Sequence, residues 1–169
     1  MTNAVVGMAG WKNSGKTTLV TKLVAELNRR GYRIATVKHA HHEADIDHEG
    51  TDSFRHRSAG ASEVALVTSA RWALVHELRN EPEPALGDIL ARLSPADLVI
   101  VEGYKREAIA KIEVRRREAA RSDPLAPDDD NIIAVAGDSP SELNGRPFFD
   151  LNQISEIADF LIARFNLGK

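Results

Sequence analysis

The chain has 169 residues, no cysteine and a formal net charge of -3. That length suits a single domain, residues 1–169, and the missing cysteine excludes disulfides and thiolate metal sites, as fits a reducing compartment. The charge gives no reason to expect a nucleic-acid partner, and no apolar run approaches the roughly 20 residues that cross a bilayer, so no membrane partner is expected.

The first apolar run, AVVGMA at 4–9, leads directly into Gly10 and Lys16. It reads as a buried first strand and not as a signal peptide, which makes the cytoplasm the expected location. Residues 16–30 follow as a helix, with Leu19, Leu23, Val24 and Leu27 at helical spacing and Gly31 as a stop. YRIATV at 32–37 is a second strand, and the βαβ order implies a parallel pair with a right-handed crossover. A polar stretch covers 38–52 and a short helix 52–60. Two adjacent strands at 63–68 and 72–76 come next, and a helical pattern at 84–93. DLVIVEG, 97–103, is a buried strand that ends on a glycine. KIEVRR at 111–116 alternates, which predicts a half-exposed strand lying at an edge. A surface loop spans 118–131, IIAVAG at 132–137 is a further buried strand, and 152–166 is an amphipathic helix with Ile154, Ile157, Leu161 and Phe165. The expected fold class is α/β: a three-layer sandwich of the P-loop NTPase type, mostly parallel, with additional antiparallel strands.

Chemistry enters at GWKNSGKT, residues 10–17, which fits G-x-x-x-x-G-K-[ST] and sits between a strand and a helix, as that motif requires. The glycines Gly10 and Gly15 let the loop curl so that successive backbone N–H groups face an anion, with Asn13 and Ser14 as further binding candidates, and the helix N-terminus adds its partial positive charge. Lys16 is the candidate for the β- and γ-phosphates and Thr17 for Mg²⁺. A second metal contributor is Glu102, at the C-terminal end of its strand and hence at the edge of a parallel sheet where ligands collect.

The segment 37–61 holds five of the six histidines: His39, His41, His42, His48 and His56. Lys38, Arg55 and Arg57 accompany them, interleaved with Asp45, Asp47 and Asp52. By its chemistry alone this is a solvated loop, a transition-metal site or an anion-binding surface beside the P-loop. GWKNSGKTTL, TVKHAHH, DIDHEGTDSFRHRSAGA and VEGYKREAIAKIEVRR occur in this order over residues 5–137, and together they resemble the molybdopterin-guanine dinucleotide biosynthesis protein B family. The resemblance implies a cytoplasmic GTP-binding homodimer. Such a protein assists the guanylyltransferase that joins GMP to molybdopterin, and acts more as adaptor and weak GTPase than as efficient catalyst. It places Gly10, Gly15, Lys16, Thr17 and Thr18 on the family's P-loop and Glu102-Gly103 on its acidic strand end. Lys38, His39, His42, Asp47, Asp52 and Ser53 fall on the segment facing nucleotide and cofactor. In that reading Lys38 contacts phosphate, Asp52 positions Mg²⁺ or water, and the histidines meet the pterin phosphate or the partner.

The guanine-reading tetrapeptide of switch-type G proteins is absent, and Asp138 just after IIAVAG is the candidate carboxylate in its place. No water-positioning glutamine or arginine finger stands out, which predicts slow hydrolysis with Lys16 and Asp52 as the candidate catalytic groups. Arg115, Arg116 and Arg117 are expected at the surface or in a dimer contact, and pairing exposed strand edges across a two-fold axis would protect them. Two other functions stay open: a P-loop kinase or ligase acting on a small acceptor, and a GTP-dependent nickel or cobalt metallochaperone.

Overall fold

A computed structural model describes residues 4–40, 47–119 and 123–168. The chain forms two compact units, one of residues 1–39 with 89–169, the other of residues 40–88.

The larger unit is built on a six-stranded sheet. Its strands are β1 (Ala4–Ala9), β2 (Ile34–Lys38), β5 (Leu98–Glu102), β6 (Lys111–Arg115), β7 (Ile132–Gly137) and β8 (Phe148–Asp150), in the order β2-β5-β1-β6-β7-β8. Every pairing is parallel, so the strand ends that carry the candidate residues share one edge. Helices α1 (Lys16–Arg29) and α4 (Ile154–Phe165) pack on the sheet through one apolar cluster. On α1 the stripe is Leu19, Leu23 and Leu27, each at most 2% exposed. Burying each of those leucines stabilises the fold by about 1.5–3 kcal/mol. β1 and β5 read as continuous apolar runs because a parallel sheet covers both their faces.

The strand 111–116 is not a half-exposed edge. β6 lies between β1 and β7, and Lys111 and Glu113 are each 1% exposed. Their charges are satisfied internally. Lys111 Nζ donates to Lys105 O, to Glu107 O and to the Asp129 carboxylate at 3.1, 2.7 and 2.8 Å. Glu113 accepts from the Leu125 and Ala126 amides at 2.7 and 2.8 Å and from Arg115 at 2.7 Å. Arg115 is accordingly not a surface residue: its side chain is 12% exposed and donates also to Ser141 O.

The smaller unit holds α2 (Asp52–Ser58) and a two-stranded antiparallel sheet, β3 (Glu63–Val67) and β4 (Trp72–His76). Thr51 caps α2, accepting from the Phe54 amide at 3.2 Å. The buried Asp47 carboxylate accepts from Thr51 and Ser53, both at 2.8 Å, and pairs with Arg57 at 3.0 Å. The hairpin exposes Leu66, Val67, Trp72 and Leu74 at 53–72%. Helix α3 (Leu86–Arg92) begins in this unit and ends in the other. Among the described residues no helix is long and apolar enough to cross a membrane.

Candidate functional site

The site starts where β1 ends. Gly10 has φ +151° and no room for a side chain: a Cβ there would stand 2.4 Å from Val114 O and 2.7 Å from Ser14 Oγ. The loop therefore lies directly on β6, and left-handed turns at Asn13 (φ +65°) and Gly15 (φ +92°) curl it into the start of α1. Successive residues of that kind make a nest of amides suited to phosphate. Lys16 curls back across the loop, donating to Trp11 O at 2.7 Å, Gly10 O at 3.0 Å and the buried Ser14 hydroxyl at 3.4 Å. Burial pushes its pKa down, Glu102 raises it, and Lys105 and Lys38 lower it further, with a net downward shift.

Register brings the second strand end to the same place. Met8 and Lys38 both pair with Glu102 across the sheet. The Thr17 hydroxyl donates to Glu102 Oε1 at 2.7 Å, and Lys38 Nζ lies 3.8 Å from the same oxygen. A hydroxyl and a carboxylate so close together are a hard-oxygen pair. Two oxygens at adjacent corners of an Mg²⁺ octahedron, each about 2.1 Å from the metal, stand about 3 Å apart. The pair fits Mg²⁺.

The chain after β5 turns sharply. Gly103 and Tyr104 both take positive φ, +96° and +46°, and a Cβ on Gly103 would meet His39 at 2.9 Å. Tyr104 stacks on His39 with ring centroids 4.5 Å apart, and Lys105 Nζ lies 4.5 Å over the Trp11 ring. The Trp11 indole N–H donates to Asp123 O at 2.7 Å.

Beside the loop a shallow cleft opens between the ends of β6 and β7, lined by Trp11, Ser14, Val114, Arg116, Asp138 and Ser139 among others. The Arg116 guanidinium lies against Gly15, its Nε 2.8 Å from where a Cβ would be. Asp138 Oδ2 accepts from the Arg117 amide at 2.9 Å, and the residue is otherwise exposed.

Gly10, Asn13, Ser14, Gly15, Lys16, Thr17, Lys38, His39 and Glu102 are thus brought to one edge. Thr18, the third residue of α1, is exposed beside them, and Asp138 is placed two strands over from β1. Asp52 belongs to the smaller unit, where its carboxylate faces Arg55 at 3.5 Å and is 88% exposed. Asp47 and Ser53 hold the start of α2 together. His42 lies outside the described residues. Among the described residues no three His, Asp or Glu side chains converge as a metal site would require.

Sequence reasoning missed Trp11, Tyr104, Lys105 and Arg116. Trp11 occupies a position of the motif that any residue may fill, and Lys105 and Arg116 reach the loop only through tertiary structure. The available signal was their place one to three residues beyond a strand end on the ligand edge.

Comparison with known proteins agrees with this geometry. The profile of molybdopterin guanine dinucleotide synthesis protein B matches residues 5–138. A molybdopterin-guanine dinucleotide biosynthesis adapter protein of Haemophilus influenzae is 42% identical over 160 residues, covering 93% of this chain and 86% of the relative. The Escherichia coli K12 adapter protein of the same name is 39% identical, covering 94% and 91%. The solved structure of a MobB homolog from Bacillus stearothermophilus superposes with a TM-score of 0.69 at 30% identity, covering 96% and 97% of the two chains. With a P-loop set on a parallel sheet edge and relatives this similar along nearly the whole length, the chain belongs to the molybdopterin guanine dinucleotide synthesis protein B family.

Proposed function

We propose that this protein is a GTP-binding adaptor that assists the guanylylation of molybdopterin in molybdenum cofactor biosynthesis. The observation that carries the reading is the convergence of Lys16, Thr17 and Glu102 at the mouth of the loop. Adapter is also the word in the names of its relatives. The loop amides and Lys16 hold the phosphates, and Thr17 and Glu102 hold Mg²⁺, which when bound neutralises phosphate charge. Lys38 is positioned to add a phosphate contact. Asp138 beside the cleft is the guanine reader in this proposal, its carboxylate accepting from the base N–H donors. His39, with Tyr104 stacked on it, faces the side from which molybdopterin and the guanylyltransferase approach.

Hydrolysis is slow in this account. The chain's single glutamine, Gln153, is used at the start of α4, where its side-chain oxygen accepts from the Asp150 amide at 2.8 Å, so it is committed away from the P-loop. A missing arginine finger alone is worth about 10³–10⁵ in rate among P-loop NTPases. Asp52 remains a proposed water- or Mg²⁺-positioning group.

The protein acts as a homodimer in this proposal. A two-stranded sheet is marginal alone; among the described residues no further strand pairs with β3 or β4, and the hairpin exposes four large apolar side chains. Pairing across a two-fold axis covers them. A cytoplasmic setting suits the cysteine-free chain.

The test is a binding panel of GTP, ATP and molybdopterin, with and without the cognate guanylyltransferase, alongside GTP turnover. The adaptor reading expects GTP to bind, turnover far slower than once per second, and faster guanylylation when this protein is added. Rapid partner-free turnover that depends on a small acceptor would turn the assignment to a kinase or ligase.

A further inference from the structure

Four charges meet at the mouth of the P-loop. After burial, which disfavours the Lys16 ammonium most, Glu102 favours it and Lys105 and Lys38 oppose it. Lys38 stands 3.8 Å from Glu102. Lys105 rests on the ring of Trp11, whose carbonyl oxygen holds Lys16 at 2.7 Å. Three ammonium groups thus gather about the loop with one of them, Lys38, beside the Glu102 carboxylate, and these four groups carry an excess of positive charge that a polyanion would relieve.

Lys105 has a fixed root and an exposed tip. Its carbonyl oxygen accepts from the buried Lys111 ammonium at 3.1 Å, which also ties Glu107 O and Asp129. The two left-handed residues before it, Gly103 and Tyr104, turn the chain back toward the loop, and Tyr104 is fixed on His39. The Lys105 side chain itself is exposed. An exposed cation–π contact is weaker than a charge-assisted hydrogen bond to phosphate, so the tip can exchange one for the other.

We infer that Lys105 is a further phosphate-binding residue, which leaves the Trp11 ring for the terminal phosphate of a bound nucleoside triphosphate and sets a preference for triphosphate over diphosphate. The inference rests on the nucleotide-binding reading above. A magnesium triphosphate brings about two net negative charges and a magnesium diphosphate about one. The triphosphate therefore matches the excess of positive charge, whereas the diphosphate leaves one ammonium without an anionic partner. Trp11, in the loop that wraps the phosphates, is where such a cation would be stored.

The test uses Trp11 as its own reporter. The chain has two tryptophans, and Trp72→Phe leaves Trp11 as the single indole. In that background, the affinities of MgGTP and MgGDP are measured by calorimetry and the Trp11 emission is followed, for the parent, Lys105→Gln and Lys105→Arg. Lys105→Gln should weaken MgGTP by about tenfold and MgGDP by less than about threefold, as loss of one charged hydrogen bond would do. It should also remove the difference in Trp11 emission between the two nucleotides, while Lys105→Arg keeps both preference and signal. If the parent binds nucleotide and Lys105→Gln leaves the GTP-to-GDP affinity ratio unchanged, Lys105 has no such role and the nucleotide reading stands. If the parent binds neither nucleotide, both fall together.

Discussion

Lys111→Met separates the buried charge of β6 from its shape. Methionine keeps the unbranched stem that packs against Gly7, where a Cβ would lie 2.8 Å from Lys111 Cγ, and removes only the ammonium. Three hydrogen bonds go: those to Lys105 O, Glu107 O and Asp129. Breaking a fully buried pair costs about 3–5 kcal/mol, and each carbonyl left without a donor about 1 kcal/mol or more. Asp129, however, is 24% exposed and keeps two donors from Asn131 at 2.9 Å each, which lowers the pair's share to about 1 kcal/mol and, with the two carbonyls, sets the total at about 3 kcal/mol. Urea unfolding at neutral pH measures it, with an unchanged denaturant slope expected. The pH dependence supplies a second check. Burial raises the Asp129 pKa, but the bonds from Lys111 and Asn131 outweigh it and hold the carboxyl below its ordinary value. The folded pKa is depressed, so the stabilisation is present above the unfolded value and is lost as pH falls through the folded one. The gap between wild type and variant should therefore narrow below about pH 4. A loss under about 1 kcal/mol, or a gap that does not change with acid, would refute this account of how β6 tolerates a lysine.

Two further perturbations address the site and the smaller unit. Glu102→Gln should weaken GTP binding by about tenfold in Mg²⁺ and far less in EDTA, since it removes a carboxylate from the oxygen pair; equal losses in both buffers would make Glu102 a structural acid. His76 is bonded to Glu63 at 2.9 Å and to Glu81 at 3.1 Å, and these carboxylates raise its pKa above the ordinary value. Its contribution to holding the hairpin is complete below about pH 6.5 and is lost as pH rises through the higher folded value. An NMR titration should give a midpoint above that of a free histidine and one that falls in Glu63→Gln; a midpoint at or below about 6.5 contradicts the pairing.

The parts of the fold written in contiguous residues were legible. The stripe Leu19, Leu23, Leu27 marks α1, and it is buried as its spacing requires. The P-loop is one unbroken segment, and Glu102 follows from it because a carboxylate at the end of a parallel strand lands on the same edge, here by the pairing of Met8 with Glu102. β6 was misread for a physical reason. Alternation identifies solvent only if polar residues seek water, and Lys111 and Glu113 instead satisfy their charges inside. β8 has three residues, Phe148–Asp150, too few for a period to show. The approach of Lys105 to Trp11 and of Arg116 to Gly15 depends on turns and side-chain paths between distant segments, which no spacing records.

The central claim, that the loop at residues 10–17 binds GTP through Lys16, is met most directly by calorimetric titration of MgGTP into this protein and its Lys16→Ala variant, with folding of both verified by thermal unfolding. Lys16 is half-buried and bonded to the loop it serves, so the variant should fold. Loss of the lysine's charged contacts to two phosphates should lower affinity by about 100-fold or more. The account predicts saturable binding of MgGTP by the wild type and its loss in the variant. Equal affinity in a folded Lys16→Ala protein, or no binding by either, would contradict it.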